Sequence, residues 1–312
     1  MKRILLAFLL ALIAVASIVT VGWLSFPREA FADYRERGVP ILMYHKVNPD
    51  PKTGGLGLRV LPREFDWQMR FLKEHGFHTV SLDEAVDYLE FGKPLPEKPI
   101  VITFDDGYRD NYVYAFPILK KYGFRATIFI ITGIVGKTNE WDEREGKPTN
   151  YMLTWKQIDE MANYGIEFGA HTVNHPRLTK VPLELAEKEI FNSKKMLEAH
   201  FKRPVKYFCY PYGLYNDQIV EIVKKAGFRA ATTTQLGINA RGCDLYRLKR
   251  LRVTGHMSRR QFVEQLEKYL REDTWKREHK KFLPGYVKDT ILPLFPGRSG
   301  STTPGRSGGC MV

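Results

Sequence analysis

Cysteine is scarce in this chain. Only Cys209, Cys243 and Cys310 occur in 312 residues, and no two form a CxxC pair. That excludes a zinc ribbon, a cysteine-ligated cluster and a disulfide scaffold. Blocks of one charge sign are missing too. Lysine and arginine total 48 against 35 acidic residues, a formal net charge of +13. The basic residues are scattered and accompany no nucleic-acid motif, so nucleic acid is not an expected partner. Apolar residues make up 44%, which excludes global disorder, and a chain of this length can bury a large core without staples.

The two ends read differently from the middle. Lys2 and Arg3 precede an uncharged run from Ile4 to Phe26. As a helix this run would span about 34 Å, enough to cross a bilayer. Basic residues ahead of it predict a cytoplasmic N-terminus and an exported body. Ala30-Phe31-Ala32 before Asp33 also resembles a signal-peptide cleavage site. Residues 1–32 are therefore expected to be a cytoplasmic tip and transmembrane anchor, with a cleaved signal peptide as the alternative. The rest would sit outside the cytoplasm, held at the cell membrane or, after cleavage, secreted or periplasmic. At the other end Pro296-Gly297-Arg298-Ser299-Gly300 recurs as Pro304-Gly305-Arg306-Ser307-Gly308. This composition predicts a disordered tail over 296–312. Cys310 stands one place too late for a prenylation signal.

Residues 33–295 form the expected globular part. Between about 39 and 272, short apolar runs alternate with amphipathic stretches. Val39–Tyr44, Pro99–Phe104, Phe124–Ile131, Ile166–Ala170, Val205–Tyr210, Phe228–Thr233 and Arg247–Val253 read as strands. Ser81 with Glu84 and Thr154 with Gln157 are capping boxes that open helices. Tyr112–Tyr122 can be helical, with Pro117 interrupting or restarting it. Four times a helix ends in glycine and a large apolar residue opens a strand: Gly76-Phe77, Gly123-Phe124, Gly165-Ile166 and Gly227-Phe228. This is the αβ loop of a βα repeat. Eight such strands, counting the one opened by Phe77, imply a closed or nearly closed (β/α) barrel. An open doubly wound sheet is the runner-up. It would want a glycine-rich phosphate loop after the first strand, where this chain has His45-Lys46-Val47-Asn48.

Functional residues of such a barrel gather at the C-terminal ends of its strands, and the unusual polar residues fall there. The first strand ends in Tyr44-His45. Asp105-Asp106-Gly107 follows Pro99–Phe104, His171-Thr172-Val173-Asn174-His175 follows Ile166–Ala170, and Tyr210-Pro211-Tyr212-Gly213 closes Val205–Tyr210. Two adjacent carboxylates leaving a strand point to different sides, so one can bind a cation while the other acts as a base; taken alone, Asp-Gly is a turn signal. His171 and His175 are spaced to share a face. With one aspartate they make a facial set with open positions, suited to zinc in hydrolysis or iron in an oxygenase.

Thr103-Phe104-Asp105-Asp106-Gly107, His171-Thr172-Val173-Asn174-His175 and Tyr210-Pro211-Tyr212-Gly213 resemble three motifs of the polysaccharide deacetylases, carbohydrate esterase family 4. Val39–His45 is similar to the opening strand of the branch that contains biofilm poly-N-acetylglucosamine deacetylases. The resemblance runs from about 39 to 255. It implies a distorted (β/α) barrel of seven to eight strands and metal-dependent removal of acetyl groups from sugar polymers. By position it makes Asp106, His171 and His175 the metal ligands and Asp105 the base, with the backbone N–H of Tyr212 at the oxyanion. The ion would be divalent, Zn²⁺ first, with Co²⁺ or Ni²⁺ as alternatives. His45, Tyr210 and Pro211 are expected to touch substrate. The chain departs from the family at Cys209, where many members have an arginine that, with a partner aspartate, orients the base; Asp244 is a conceivable stand-in. The late histidine acid of the family is matched only by His256.

The expected activity is N-deacetylation of an N-acetylglucosamine-containing polysaccharide, with that polymer and the membrane as partners. Two other readings use the same residues. One is an iron-dependent oxygenase with the Asp/His/His set. The other is a sugar-binding protein whose site has decayed, for which Cys209 speaks.

Overall fold

The computed structural model describes residues 38–144 and 146–267. The expected N-terminal helix and the 296–312 tail lie outside the described residues. Among those described, no helix is long and apolar enough to cross a membrane.

Among the described residues, ten strands alternate with eight helices along the chain. The strands are β1 (Ile41–Tyr44), β2 (Lys46–Val47), β3 (Arg59–Val60), β4 (His78–Thr79), β5 (Pro99–Phe104), β6 (Thr127–Ile130), β7 (Glu167–Ala170), β8 (Tyr207–Cys209), β9 (Ala230–Leu236) and β10 (Leu248–Arg252). The helices are α1 (Pro62–Glu74), α2 (Leu82–Phe91), α3 (Phe116–Tyr122), α4 (Glu140–Glu143), α5 (Trp155–Tyr164), α6 (Leu183–Phe201), α7 (Asp217–Lys225) and α8 (Arg259–Glu267). The order β1-β10-β9-β8-β7-β6-β5 is parallel throughout and closes through a β1–β5 pairing. The result is a seven-stranded (β/α) barrel. Of the eight expected strands, β4 stays outside the ring, paired only with β5. Four residue pairs join β1 directly to β5, from Ile41↔Val101 to Tyr44↔Phe104, so the two-residue β4 has no place between them. A short parallel pair, β2–β3, was not foreseen.

Local signals hold where the side chain and backbone reciprocate. Both capping boxes are formed, with Ser81 and Glu84 opening α2 and Thr154 and Gln157 opening α5. Gly76, Gly123, Gly165 and Gly227 all take positive φ, as the turn from helix into strand requires. Pro117 does restart its helix: Asn111–Ala115 is a π-helical turn and α3 begins at Phe116.

The barrel interior follows the two-residue period of the strands. Ile41, Val101, Phe129, Tyr207, Cys209, Ala230 and Leu248 come from six different strands yet form one buried cluster with Leu82, Ala85, Val86 and Leu89 of α2. These strand residues include the first residues of β1, β8, β9 and β10, so α2 closes the barrel at the end where its strands begin. Two residues further on, the same inward alternation reaches Thr103, Asp105 and Arg250, all buried. Chemistry is thereby confined to the open end. The interior is close-packed at Gly169 of β7, where a β-carbon would lie 2.6 Å from the Phe129 ring and 2.9 Å from the Tyr207 carbonyl. Gly169→Ala is expected to cost about 1–3 kcal/mol through overpacking, read as a lower urea midpoint with an unchanged slope.

Candidate active site

Two aspartates leave β5 in opposite directions. Asp105 continues the inward alternation. It meets Arg250 of β10 in a two-pronged ion pair: Nη1 donates to Oδ1 and Nη2 to Oδ2, each at 2.7 Å. Arg250 is fully buried. Its other donors are spent on the Thr233 carbonyl at 2.8 Å, the Thr103 hydroxyl at 3.1 Å and the Cys209 Sγ at 3.3 Å. Burial opposes ionisation of Asp105, but the guanidinium more than offsets it and holds the carboxyl below its ordinary range. Asp105 is therefore a carboxylate. This arginine is the residue the sequence reading missed. Cys209 does not supply the guanidinium; it accepts a hydrogen bond from one that arrives from β10. Asp244 is not a substitute, since its carboxylate caps Tyr246 and pairs with Arg247.

Asp106 turns out of the strand with a φ of 73°. Its Oδ1 lies 3.3 Å from His171 Nε2 and 3.5 Å from His175 Nε2, and the two ring nitrogens are 3.2 Å apart. Burial opposes its charge as well. The His171 hydrogen bond, with the electrostatic pull of the surrounding imidazoles, nonetheless holds it far below the ordinary carboxylate range. His171 Nδ1 sits 2.6 Å from the Cys209 carbonyl. A carbonyl only accepts, so Nδ1 carries a proton; despite burial, Cys209 and Asp106 raise the His171 pKa well above its ordinary value, and Nε2 faces Asp106, where a bound ion would take the place of its proton. Burial pushes His175 down to about 3, and its buried Nδ1 has no hydrogen-bond partner among the described residues. His175 is held instead by rings on either side, Trp141 at 5.0 Å and Tyr212 at 4.5 Å between centroids.

The donor set fits a divalent ion. An ion with bonds of about 2.0–2.1 Å in tetrahedral geometry keeps its ligands roughly 3.4 Å apart, close to the three separations observed. Two imidazoles and one carboxylate are also the ligand types that zinc accepts.

The loops are shaped for this. Among the described residues, six that are not glycine take positive φ, and four of them are Asp106, Thr172, His175 and Tyr212. Such conformations cost about 1–3 kcal/mol each and persist only where the surroundings enforce them. Glu189 of α6 is one enforcer. Its buried carboxylate accepts the Val173 N–H at 2.9 Å, the Asn174 N–H at 2.8 Å and the Asn174 amide at 2.7 Å. It thus clamps the loop between the two histidines. Thr172 Oγ1 accepts the His175 N–H at 2.9 Å.

His45 joins this group, with Nε2 3.8 Å from Asp105 Oδ2. Burial lowers its pKa, against the pull of Asp105 and Asp106. Its loop is held by Asn111, whose amide donates to the His45 carbonyl at 2.8 Å, and by Asp110, which accepts from the Val47 N–H and the Asn48 amide. Three of the expected residues are placed elsewhere. His256 is exposed in a surface groove with Leu236, Met257 and Gln265 and makes no bond to either aspartate. Tyr210 is fully buried, with its hydroxyl donated to the Tyr246 carbonyl. Pro211 is buried beside it. Neither Tyr210 nor Pro211 is exposed to meet a polymer through its side chain, since both are buried in the turn that follows β8.

Residues 92–231 match the family model for polysaccharide deacetylase. YxkH of Bacillus subtilis (strain 168), whose name places it among polysaccharide deacetylases, is 36% identical over 73% of this chain and 76% of its own length. The poly-beta-1,6-N-acetyl-D-glucosamine N-deacetylase of Staphylococcus epidermidis is 31% identical over 71% of this chain and 81% of its own. Among solved structures, the Streptococcus pyogenes deacetylase PplD in complex with acetate superposes with a TM-score of 0.64 at 33% identity, covering 73% of this chain and 97% of that one. The chain belongs to the polysaccharide deacetylase family, carbohydrate esterase family 4. It is a hydrolase of the deacetylase class.

The buried ion pair has a measurable worth. Arg250→Met leaves Asp105 charged and alone in the barrel, and is expected to cost about 3–5 kcal/mol. Arg250→Met combined with Asp105→Asn should recover most of that loss in urea unfolding. A cost near zero for the single variant would show that water reaches Asp105.

Proposed function

We propose that this protein is a metal-dependent N-deacetylase of an N-acetylglucosamine polysaccharide. The observation that carries this reading is the convergence of Asp106, His171 and His175 on one point beside a second, separately held carboxylate, Asp105. Asp106, His171 and His175 would hold a divalent ion, Zn²⁺ first and Co²⁺ or Ni²⁺ as alternatives. When bound, the ion supplies a Lewis acid that lowers the pKa of water and polarises the amide carbonyl. Asp105, ionised and fixed by Arg250, takes a proton from the attacking water. The backbone N–H of Tyr212 donates to the oxygen that becomes negative; the left-handed turn at Tyr212, φ 58°, sets its direction. His45 passes a proton to the leaving nitrogen. It replaces His256 in this role because it lies 3.8 Å from Asp105 and, neutral at the outset because burial lowers its pKa, can relay to the nitrogen the proton that Asp105 took from water.

The relatives named as poly-beta-1,6-N-acetyl-D-glucosamine N-deacetylases support that polymer as the substrate. An oxygenase has no use for a base as firmly held as Asp105, and a decayed site would not keep the ion pair behind it. Acetate release from β-1,6-linked N-acetylglucosamine oligomers tests the reading. Chelation should abolish it and Zn²⁺ restore it. Asp105→Asn should retain about one ion per chain by metal analysis while turnover falls roughly 10²–10⁴-fold, the usual worth of a general base. Loss of the ion in that variant would exchange the roles of the two aspartates.

Residues 33–295 are proposed as the catalytic domain, with 1–32 holding it to the outer face of the cell membrane. Fractionation should place the full-length chain with membranes. A soluble exported chain beginning at Asp33 would establish cleavage instead.

A further inference from the structure

The segment between β6 and α5 does more than border the metal ligands. Its Trp141 lies against His175. Its far end is laced to the residues just after Asp106: the Arg109 N–H donates to the Tyr151 carbonyl at 2.9 Å and the Leu153 N–H to the Gly107 carbonyl at 2.9 Å. Tyr108 pairs with Met152 and Thr138 with Tyr151 in antiparallel bridges. The backbone at Tyr151 is thus bonded on both sides, yet its side chain stands 64% exposed. The Arg109 guanidinium lies over this ring, 5.4 Å from its centre. Arg109 is itself exposed and forms no ion pair among the described residues. It follows Asp106 by three residues, so its backbone is within about 11 Å of that ligand.

We infer that Tyr151 and Arg109 form a subsite for a sugar unit of the substrate chain, next to the one being deacetylated. This inference rests on the proposed polysaccharide activity. A pyranose presents an apolar C–H face and a rim of hydroxyl and amide oxygens. The Tyr151 ring offers a flat exposed surface on a backbone already bonded on both sides, so little backbone ordering is needed when a sugar stacks on it. The guanidinium beside it has donors and no acceptor, which suits the rim oxygens. A polymer longer than the catalytic pocket must leave across some part of the barrel mouth. This edge combines a rigid exposed ring, an uncommitted hydrogen-bond donor and closeness to Asp106. The occupant is therefore a neutral acetylated amino-sugar unit of the same chain.

The test separates this subsite from the chemistry. Binding of a dimer and a hexamer of β-1,6-linked N-acetylglucosamine is measured by calorimetry on the Asp105→Asn protein, with and without further changes. The hexamer-to-dimer affinity ratio should fall about tenfold on Tyr151→Ala, the worth of one aromatic contact. It should be kept by Tyr151→Phe, which retains the ring, and should fall on Arg109→Ala. An unchanged ratio in Tyr151→Ala overturns the proposal, as does no hexamer binding at all. Equal loss in Tyr151→Phe and Tyr151→Ala also overturns it, because the hydroxyl and not the ring would then be responsible. Absence of acetate release by the unaltered protein would instead defeat the proposed activity, and the binding ratio would still judge the subsite.

Discussion

A guanidinium sealed inside a barrel is the constraint on which the site depends. Arg250 has no exposure, so each of its donors must find an acceptor within the protein. It finds Asp105, Thr103, the Thr233 carbonyl and Cys209, contributed by three other strands of the ring, β5, β9 and β8. Satisfying it fixes the relative registers of β5, β8, β9 and β10 as tightly as apolar packing would. The same bonds keep Asp105 ionised in a place where burial alone would protonate it. The proposed base must be charged to act, and Asp105 is charged because the fold pairs it. Leu82, Ala85, Val86 and Leu89 of α2 pack beneath the pair, in the cluster that fills the barrel where its strands begin.

Above this layer, order comes from polar clamps and rings. His171 is oriented by a hydrogen bond to the Cys209 carbonyl. His175 lacks such a bond and is wedged between Trp141 and Tyr212 instead. A histidine that ligates a metal usually donates its second nitrogen to a fixed acceptor, so the two proposed ligands are held by different physics. Glu189 pins the loop that joins them from outside the cluster. The strained conformations at Asp106, Thr172, His175 and Tyr212 are the cost of bringing these groups together on loops while the barrel below stays regular. Cys209 illustrates the economy of the arrangement. Its carbonyl orients a ligand and its sulfur accepts from Arg250, so the position keeps a role in the site although the side chain is not an arginine.

Much of this was legible along the chain because it is local. Capping boxes, C-terminal glycines and the restart at Pro117 depend on residues within four positions of one another, and the structure forms them as read. The Asp-Asp and His-x-x-x-His spacings were legible for the same reason, as was their place at strand ends. What failed involved distance. Arg250 lies 145 residues from Asp105 in a strand whose Leu-Lys-Arg-Leu-Arg sequence looks like an ordinary half-exposed edge. Only closure of the ring turns it inward. His256 was placed by its order in the chain, and the fold leaves it on the surface. Glu189 sits within a helix where a glutamate is unremarked, and its three bonds exist only because α6 packs against the histidine loop.

By itself, then, the sequence determined the βα repeat, the caps, and the types of residue at each strand end. These follow from backbone propensity and from the two- and 3.6-residue periods, which act within a single element. The tertiary structure decided which strand was left out of the ring, since the direct β1–β5 pairing takes the place β4 would have needed. It decided which histidine accompanies the base, and which arginine keeps that base charged. Such choices depend on contacts between elements far apart in the chain. Burial turns those contacts into requirements, because a charge taken out of water must meet its partner wherever the barrel brings one.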